Sequence, residues 1–251
     1  MELLPLVETT TFDAPQIAAH AAQVQADLLR QTRYLDAPNF TKIHPSDLKF
    51  LFDAYDRVCF QGQLRLALGA APLSFALSQR MTSAGGKTAR ITDRRSGFRR
   101  FEISVSVAIL FNCFRADDHR PIVTSGIVCL NRLDALQRVM EHELTHLAEM
   151  LLWDKSSCAQ RRFHSITKRF FGHTENKHQL ITPRERAIAK FGIQPGMQVR
   201  FRFDGVEHTG VVNRINKRAT VLVEDARGQR YDDGKRYAKY YIPVACLTPV
   251  K

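Results

Sequence analysis

The feature that most constrains this chain is the stretch Leu133–Trp153, which reads LDALQRVMEHELTHLAEMLLW. His142 and His146 are four residues apart, so on an α-helix their side chains project from one face on successive turns. That spacing lets two imidazoles reach one Zn²⁺ at roughly 2.0–2.1 Å each. Glu143 follows His142 directly and is placed to act as a general base on a zinc-bound water. The sequence therefore predicts a hydrolytic zinc site on one helix.

The residues around this motif have helical periodicity, because apolar side chains recur at steps of three and four. These are Leu133, Leu136, Val139, Met140, Leu144, Leu147, Met150 and Leu151. A helix this apolar is buried, and a buried helix does not carry histidines and glutamates without partners. The alternative is a core helix whose histidines fall four apart by coincidence, and Glu143 between them argues against it.

Composition favours a folded protein with one large and one small domain, since the chain has 251 residues and an apolar fraction of 44%. No apolar run has the length of a membrane span, and the N-terminus lacks the pattern of a signal peptide. We therefore expect a cytoplasmic protein with no membrane partner. The five cysteines are scattered without a CxxC pair, which predicts reduced thiols.

The formal net charge of +12 favours a polyanionic partner, with nucleic acid ahead of an acidic membrane surface. The alternative is a basic surface that serves only solubility. The charge is unevenly placed, because the chain from Arg184 onward has fourteen lysines and arginines against seven aspartates and glutamates. We expect nucleic acid, and DNA in preference to RNA.

Before the zinc helix the sequence predicts two helices, over residues 14–32 and 48–60. Three strands are predicted over residues 73–77, 87–92 and 100–110. An arginine-rich hairpin turn joins the last two strands, and residues 115–126 predict a polar loop, for which a role as a lid is left open.

Several of these segments resemble the SprT-like metallopeptidases, which include Spartan. The resemblance rests on LFDAYDRVCFQGQL at 51–64, SQRMTSAGGKT at 78–88 and HELTH, and covers residues 45–182. It implies an α+β zincin-type domain with a small antiparallel sheet beside the zinc helix. For Spartan-like members it also implies DNA-dependent proteolysis of proteins crosslinked to DNA.

The sequence departs from that family at one zinc ligand. The family has a histidine in an HGxxF/W sequence that opens the next helix, and here the matching residues 159–163 read AQRRF, with Ala159 at the ligand position. Because a catalytic zinc ion takes three protein ligands, another side chain must complete the set. The candidates are His173, Cys158 and His164.

Each candidate has its own argument. Cys158 is next to the lost position, near a helix N-cap predicted at Ser157, where a helix N-terminus favours the thiolate. His173 follows a helix-ending glycine in a polar loop, and His164 is level with His146 if the two helices form a hairpin. Glu149 lies about 7.5 Å along the axis from the midpoint of the two histidines, which suits an acceptor behind a ligand.

Residues 192–251 have a different character, with short strands over 197–203, 210–215, 219–224 and 240–244 separated by turns such as Arg227-Gly228. This rhythm predicts a closed five-stranded barrel, and the stretch resembles Tudor- or KOW-like small barrels. Cations alternate with aromatic rings between residues 230 and 241, a mix that suits single-stranded nucleic acid. The predicted nucleic-acid-binding residues are Arg214, Lys217, Arg218, Lys235, Arg236, Tyr237 and Lys239. The alternative is that the tyrosines close the barrel and the charges only solvate it.

The chain is thus divided into an N-terminal helical segment (1–40), a SprT-like domain (41–182), a linker helix (183–191) and a small β-barrel (192–251). The sequence predicts a zinc metallopeptidase that acts on nucleic-acid-associated or DNA-crosslinked proteins, located at the nucleoid or in the nucleus if it is DNA-directed. One alternative is a non-catalytic nucleic-acid-binding protein whose degenerate SprT-like domain has a structural metal or none. A further alternative is a metal-dependent hydrolase of another substrate.

Overall fold

A computed structural model describes residues 2–250 and confirms the predicted α+β class. The chain divides into two compact units between Leu180 and Ile181. Among the described residues, no helix has the length and apolar character needed to cross a membrane.

The helices begin at side chains that can accept the first free N–H groups. Asp13 forms a capping box with Gln16 at the second helix, and Asn131 accepts from the Asp134 amide at the start of the sixth. The helices are α1 Leu3–Thr9, α2 Ala14–Gln31, α3 Pro45–Cys59, α4 Gln63–Leu68, α5 Val107–Leu110, α6 Arg132–Trp153, α7 Arg161–Phe171 and α8 Pro183–Phe191.

The strands form three sheets in the two units. Those of the first unit are β1 Leu73–Ser78, β2 Gly86–Thr92, β3 Arg99–Ser106, β4 Ile122–Thr124, β5 Ile127–Cys129 and β6 His178–Gln179. Those of the second unit are β7 Gln198–Phe203, β8 Val206–Ile215, β9 Ala219–Arg230, β10 Arg236–Ile242 and β11 Thr248–Pro249.

The sheet beside α6 is mixed, so the expectation of an antiparallel sheet is wrong. Its order is β1-β3-β2, with β2 antiparallel and β1 parallel to β3. The arginine-rich hairpin folds β3 back along β2, and β1 then joins the free edge of β3. The predicted strand over 100–110 ends early, because the Ser106 hydroxyl accepts from the Ile109 amide and starts α5.

The segment predicted as a loop, residues 115–126, contains the strand β4. Strand β4 pairs with β5 on one side and β6 on the other, and Ser125 and Gly126 form the hairpin turn at positive φ. These pairings fix Thr124 opposite His178. The end of this segment is therefore part of a sheet.

Helix α6 is the centre of the first unit, where it packs against α1 to α5, α7 and β2 to β5. It also buries charge. Glu141 is 1% exposed, receives a hydrogen bond from Tyr55 Oη at 2.6 Å and forms an ion pair with Arg138 Nη2 at 2.8 Å. The other Glu141 oxygen lies 2.8 Å from His173 Nε2. Burial raises the pKa of Tyr55 well above its usual value, so its hydroxyl stays a donor.

The second unit has one antiparallel sheet of order β10-β9-β8-β7-β11. Its core contains Ala187 of α8, so that helix packs within this unit. The turn predicted at Arg227-Gly228 is wrong, since both residues lie inside β9. There the register shifts: Tyr237 pairs with Glu224 while Arg236 pairs with Arg230, which leaves the residues between as an insertion in the strand.

The buried network at Glu141 predicts a large stability loss from one substitution. Arg138→Met leaves the Glu141 carboxylate without its cationic partner, and we expect a loss of about 3 kcal/mol. Trp153 is the single tryptophan of the chain, so its fluorescence during urea denaturation reports on the first unit alone. In the matched control, Lys49→Met removes an exposed ion pair with Asp53 and should cost under about 1 kcal/mol. Equal losses in the two variants would contradict the prediction.

Candidate metal centre

The two motif histidines converge on one point. His142 Nε2 and His146 Nε2 lie 3.1 Å apart, close to the roughly 3.3 Å that two ligands of one tetrahedral zinc ion have at usual bond lengths. The pKa of His142 is lowered to about 3, mainly by burial. Burial also lowers the pKa of His146. Both rings are therefore neutral at physiological pH, which is the form that binds a metal.

Two contacts hold His146 in the orientation that a ligand needs. The Ser156 hydroxyl donates to Glu149 Oε2 at 2.6 Å and lies 2.5 Å from His146 Nδ1. Because the hydroxyl proton goes to Glu149, Ser156 accepts from a protonated Nδ1, and Nε2 keeps its lone pair. The ring of Phe163 packs against both histidines, with centroids 4.7 Å from His142 and 4.5 Å from His146.

Glu149 lies where an acceptor behind a ligand was predicted, and it reaches His146 through Ser156. Its second oxygen accepts from Arg162 Nε at 2.8 Å, and the Arg162 guanidinium stacks over Trp153 at 4.0 Å. These contacts tie the start of α7 to the end of α6. Sequence reasoning missed Ser156 and Arg162, because neither shares a local pattern with the motif.

Glu143 is 3% exposed and faces β2. Thr88 Oγ1 lies 2.7 Å from Glu143 Oε2 and 3.0 Å from the Glu143 carbonyl oxygen. Burial raises the pKa of Glu143 to about 7, and the hydrogen bond from Thr88 opposes that rise. A Cβ at Gly86 would lie 2.6 Å from Glu143 Oε1, so β2 can approach only because residue 86 is glycine. Gly86 and Thr88 both belong to the SQRMTSAGGKT stretch at 78–88, so the motif in the sequence already pointed to this part of the site.

Of the three proposed extra ligands, the structure brings Cys158 to the pair. The ligand atoms of His142, His146 and Cys158 all lie within 4.8 Å of one another. His173 is instead 3% exposed and paired with Glu141, and His164 Nε2 lies 3.5 Å from Asn176 Nδ2. The residue types match the His and Cys ligand sets that bind zinc.

The N-cap predicted at Ser157 is wrong, because α7 begins at Arg161 and its N-cap is Gln160. Cys158 therefore lies in the connection between α6 and α7. Asn176 Nδ2 donates to the Cys158 carbonyl oxygen at 2.6 Å and fixes the backbone there.

The histidine pair opens into a cleft of about 540 Å³. One wall is the start of β2, from Gly85 to Thr88, and another contains Ser125, Lys177 and His178. The His178 Nε2 lies 3.1 Å from the Ser83 carbonyl oxygen, and this contact holds the segment before β2 in place. The volume of the cleft is within the usual range for ligand-binding sites, and its lining includes both histidines and Glu143.

The structure separates the residues predicted to bind nucleic acid into three groups. Arg214 and Lys239 line one cleft of the second unit, while Lys217 and Arg218 are exposed at the β8–β9 turn. The others have internal partners: Lys235 pairs with Glu224, Arg236 donates to the Gly228 carbonyl oxygen, and Tyr237 donates to Asp233.

Comparison with known proteins gives no match. No protein-family model matches this sequence, and no curated protein or solved structure matches it significantly. The resemblance to the SprT-like metallopeptidases stays a prediction that rests on the motifs quoted above.

The proximity of Cys158 predicts which substitution removes the metal. Cys158→Ala should lower zinc retained after dialysis at least tenfold, because it leaves two ligands instead of three. His164→Ala is the matched control and should retain zinc. With Co²⁺ in place of zinc, the thiolate-to-metal charge-transfer absorption should disappear in Cys158→Ala only. Full zinc content and an unchanged spectrum in that variant would contradict the prediction.

The raised pKa of Glu143 predicts a pH-dependent stability of the metal-free protein. Since the pKa rises from 4.5 to about 7 on folding, the stabilisation is complete below pH 4.5 and is lost as the pH rises through about 7. The wild-type free energy of unfolding, relative to Glu143→Gln, should fall by about 3 kcal/mol over that range. Urea denaturation with a chelator, followed by Trp153 fluorescence, measures it. The histidines contribute to the pH dependence with opposite sign, but they are the same in both proteins and cancel in this comparison. A difference in free energy of unfolding that does not change with pH would contradict the prediction.

Proposed function

We propose that this protein is a zinc-dependent metallopeptidase of the SprT-like type, acting on proteins that are bound or crosslinked to DNA. The proposal includes a zincin-like arrangement for the first unit and a small barrel for the second. The observation that carries it is the convergence of the His142 and His146 Nε2 atoms, 3.1 Å apart, beside a buried carboxylate with a pKa of about 7. Paired neutral imidazoles beside a carboxyl group of this acidity are the parts of a hydrolytic metal centre.

His142, His146 and Cys158 are the residues that would hold the zinc ion. When bound, zinc supplies Lewis-acid chemistry, acidifying a water molecule and polarising a carbonyl group. The chain supports this set with neutral rings, a His146 tautomer held by Ser156, and a thiol near both rings. Cys158 takes the place that the family gives to a histidine at the position of Ala159.

Glu143 is the proposed general base and acid. A pKa of about 7 is near the optimum for moving protons at neutral pH, since both protonation states are populated. The carboxylate takes a proton from the attacking water and returns it to the leaving amine of the peptide. Thr88 holds one carboxylate oxygen at 2.7 Å, which leaves the other oxygen for this exchange. A Cβ at residue 86 would lie 2.6 Å from that second oxygen, so the glycine leaves the oxygen uncovered.

A polypeptide substrate is favoured by the position of β2. This strand supplies Gly86 and Thr88 and is one of the two edge strands of its sheet. An edge strand can pair with an extended peptide through backbone hydrogen bonds, independently of side-chain sequence. Such recognition suits an enzyme that cleaves varied proteins selected by their attachment to DNA.

The basic second unit is proposed to supply that attachment. Arg214, Lys217 and Arg218 have no carboxylate partner among the residues that the structure describes. Their charge is available to phosphate, and binding to DNA would raise the local concentration of protein bound on the same strand. A protein of this kind would act at the nucleoid or in the nucleus.

The activity is tested by Glu143→Gln, which keeps the side-chain volume and removes the base. Cleavage of a DNA-bound protein in the presence of DNA should fall at least 100-fold while zinc content stays stoichiometric. Glu8→Gln, which changes an exposed carboxylate on α1, is the control and should cleave normally. Undiminished cleavage by Glu143→Gln would exclude this mechanism.

The same assay separates the enzyme from the non-catalytic alternative, which the alanine at residue 159 keeps open. That alternative predicts that the wild type binds zinc and that His146→Ala loses it. It also predicts that the wild type shows no proteolysis under any DNA condition.

A further inference from the structure

The second unit contains a cleft of about 330 Å³ on one face of its sheet. Thr220 of β9 is the register partner of both Arg214 on β8 and Tyr241 on β10, so these three residues lie in one row across three strands. Directly paired residues project from the same face. Lys239 lies two residues before Tyr241 and therefore projects from that face too.

Two irregularities in the strands shape this cleft. The register of β8 against β9 shifts between Val212 and Arg214, and an irregularity of this kind bends a strand locally. The insertion in β9 brings Arg230 and Tyr231 to the wall of the cleft. A Cβ at Gly228 would collide with the Tyr237 backbone, so the insertion can lie this close only with glycine there. The cleft is therefore built by the fold and does not arise from loosely packed surface side chains.

The lining is cationic, because Arg214, Arg230 and Lys239 outnumber the one carboxylate, Asp232. Within residues 2–250, neither arginine has an ion-pair partner. Lys239 is held in place, since its ammonium donates to Gln229 Oε1 at 2.8 Å and lies 5.4 Å from the Tyr231 ring centroid. That ammonium keeps two further donors for a ligand.

The cleft also presents an aromatic surface. Tyr241 lines it and is 54% exposed. Its neighbour Tyr240 points to the opposite face, where it packs against Phe201, Phe203 and His208 at centroid distances of 5.3, 5.3 and 4.8 Å. Since alternate residues of a strand face opposite sides, Tyr240 serves the core and Tyr241 remains available to a ligand.

We infer that this cleft binds single-stranded nucleic acid, with Arg214, Arg230 and Lys239 on phosphate and Tyr241 against a base. Bases stack on a side chain only when they are unpaired, and a volume at the lower end of the ligand-site range of about 300–1,000 Å³ suits one nucleotide at a time. The inference rests on the proposed nucleic-acid role of the second unit, and it is independent of the peptidase chemistry. The inference assigns base and phosphate recognition to a smaller surface than the sequence predicts, because Lys217 and Arg218 lie outside the cleft.

The test measures the binding of a short fluorescent oligothymidine to the full chain by anisotropy at several salt concentrations. Arg214→Ala combined with Arg230→Ala should weaken binding at least tenfold and reduce the slope of log K against log salt by about 1.4. Arg184→Ala combined with Arg202→Ala removes the same charge from exposed positions of the second unit outside the cleft and should change affinity less than about threefold. Tyr241→Ala should lose about tenfold, and Tyr241→Phe should bind as the wild type does.

Other outcomes would overturn the inference. Equal losses in the two double variants would indicate diffuse electrostatic binding, and an unchanged Tyr241→Ala would exclude stacking in the cleft. Thymidine monophosphate binding as tightly as the strand would assign the cleft to a free nucleotide, and tighter binding of duplex would assign it to paired DNA.

The Glu143→Gln variant should bind the oligonucleotide as the wild type does, so a failure of the peptidase proposal leaves this result intact. If the cleft variants bind the oligonucleotide as the wild type does and still show DNA-stimulated cleavage, the cleft inference is wrong and the peptidase proposal is unaffected.

Discussion

The first unit depends on one constraint, which is that α6 buries ionisable side chains and each of them needs a partner. Glu141, Glu143 and Glu149 are at most 3% exposed. An unpaired buried carboxylate costs several kcal/mol, so the elements around the helix must supply donors. Tyr55 from α3, Thr88 from β2 and Arg162 from α7 do so. The three glutamates thereby specify which elements surround α6 and in what orientation.

The partners of the three glutamates differ in strength, and this difference distinguishes Glu143 from Glu141 and Glu149. Glu141 forms an ion pair with Arg138 and receives a hydrogen bond from a phenol, and Glu149 receives a hydrogen bond from a guanidinium. Glu143 has only the Thr88 hydroxyl as a side-chain donor among the described residues, and burial raises its pKa to about 7. A carboxylate fully satisfied by cations would be too weak a base for proton transfer at neutral pH. The least compensated glutamate is therefore the one beside the histidines.

In the second unit, the alternation of side chains along the strands decides which residues face the core and which are exposed. Two adjacent tyrosines face opposite sides of the sheet, since Tyr240 packs against the core and Tyr241 is exposed. The cations also divide, because Lys235 is neutralised by Glu224 while Arg214 faces a cleft without a carboxylate partner among the described residues. The interpretation that tyrosines pack against the core fits Tyr240, and the proposed binding function concerns Tyr241 on the opposite face of the same strand.

The sequence by itself determined the helix at α6, the shared face of His142 and His146, and the position of Glu143 between them, because helical period and spacing are local properties. It also determined the alternation that assigns strand residues to faces. Only the tertiary structure decided that Cys158, and not His173, lies beside the histidines. That choice depends on the connection between α6 and α7 and on contacts with Asn176 and Glu141, residues distant in sequence. The parallel pairing of β1 with β3 and the insertion in β9 were decided in the same way, since strand pairing and register depend on non-local hydrogen bonds that no short window of sequence contains.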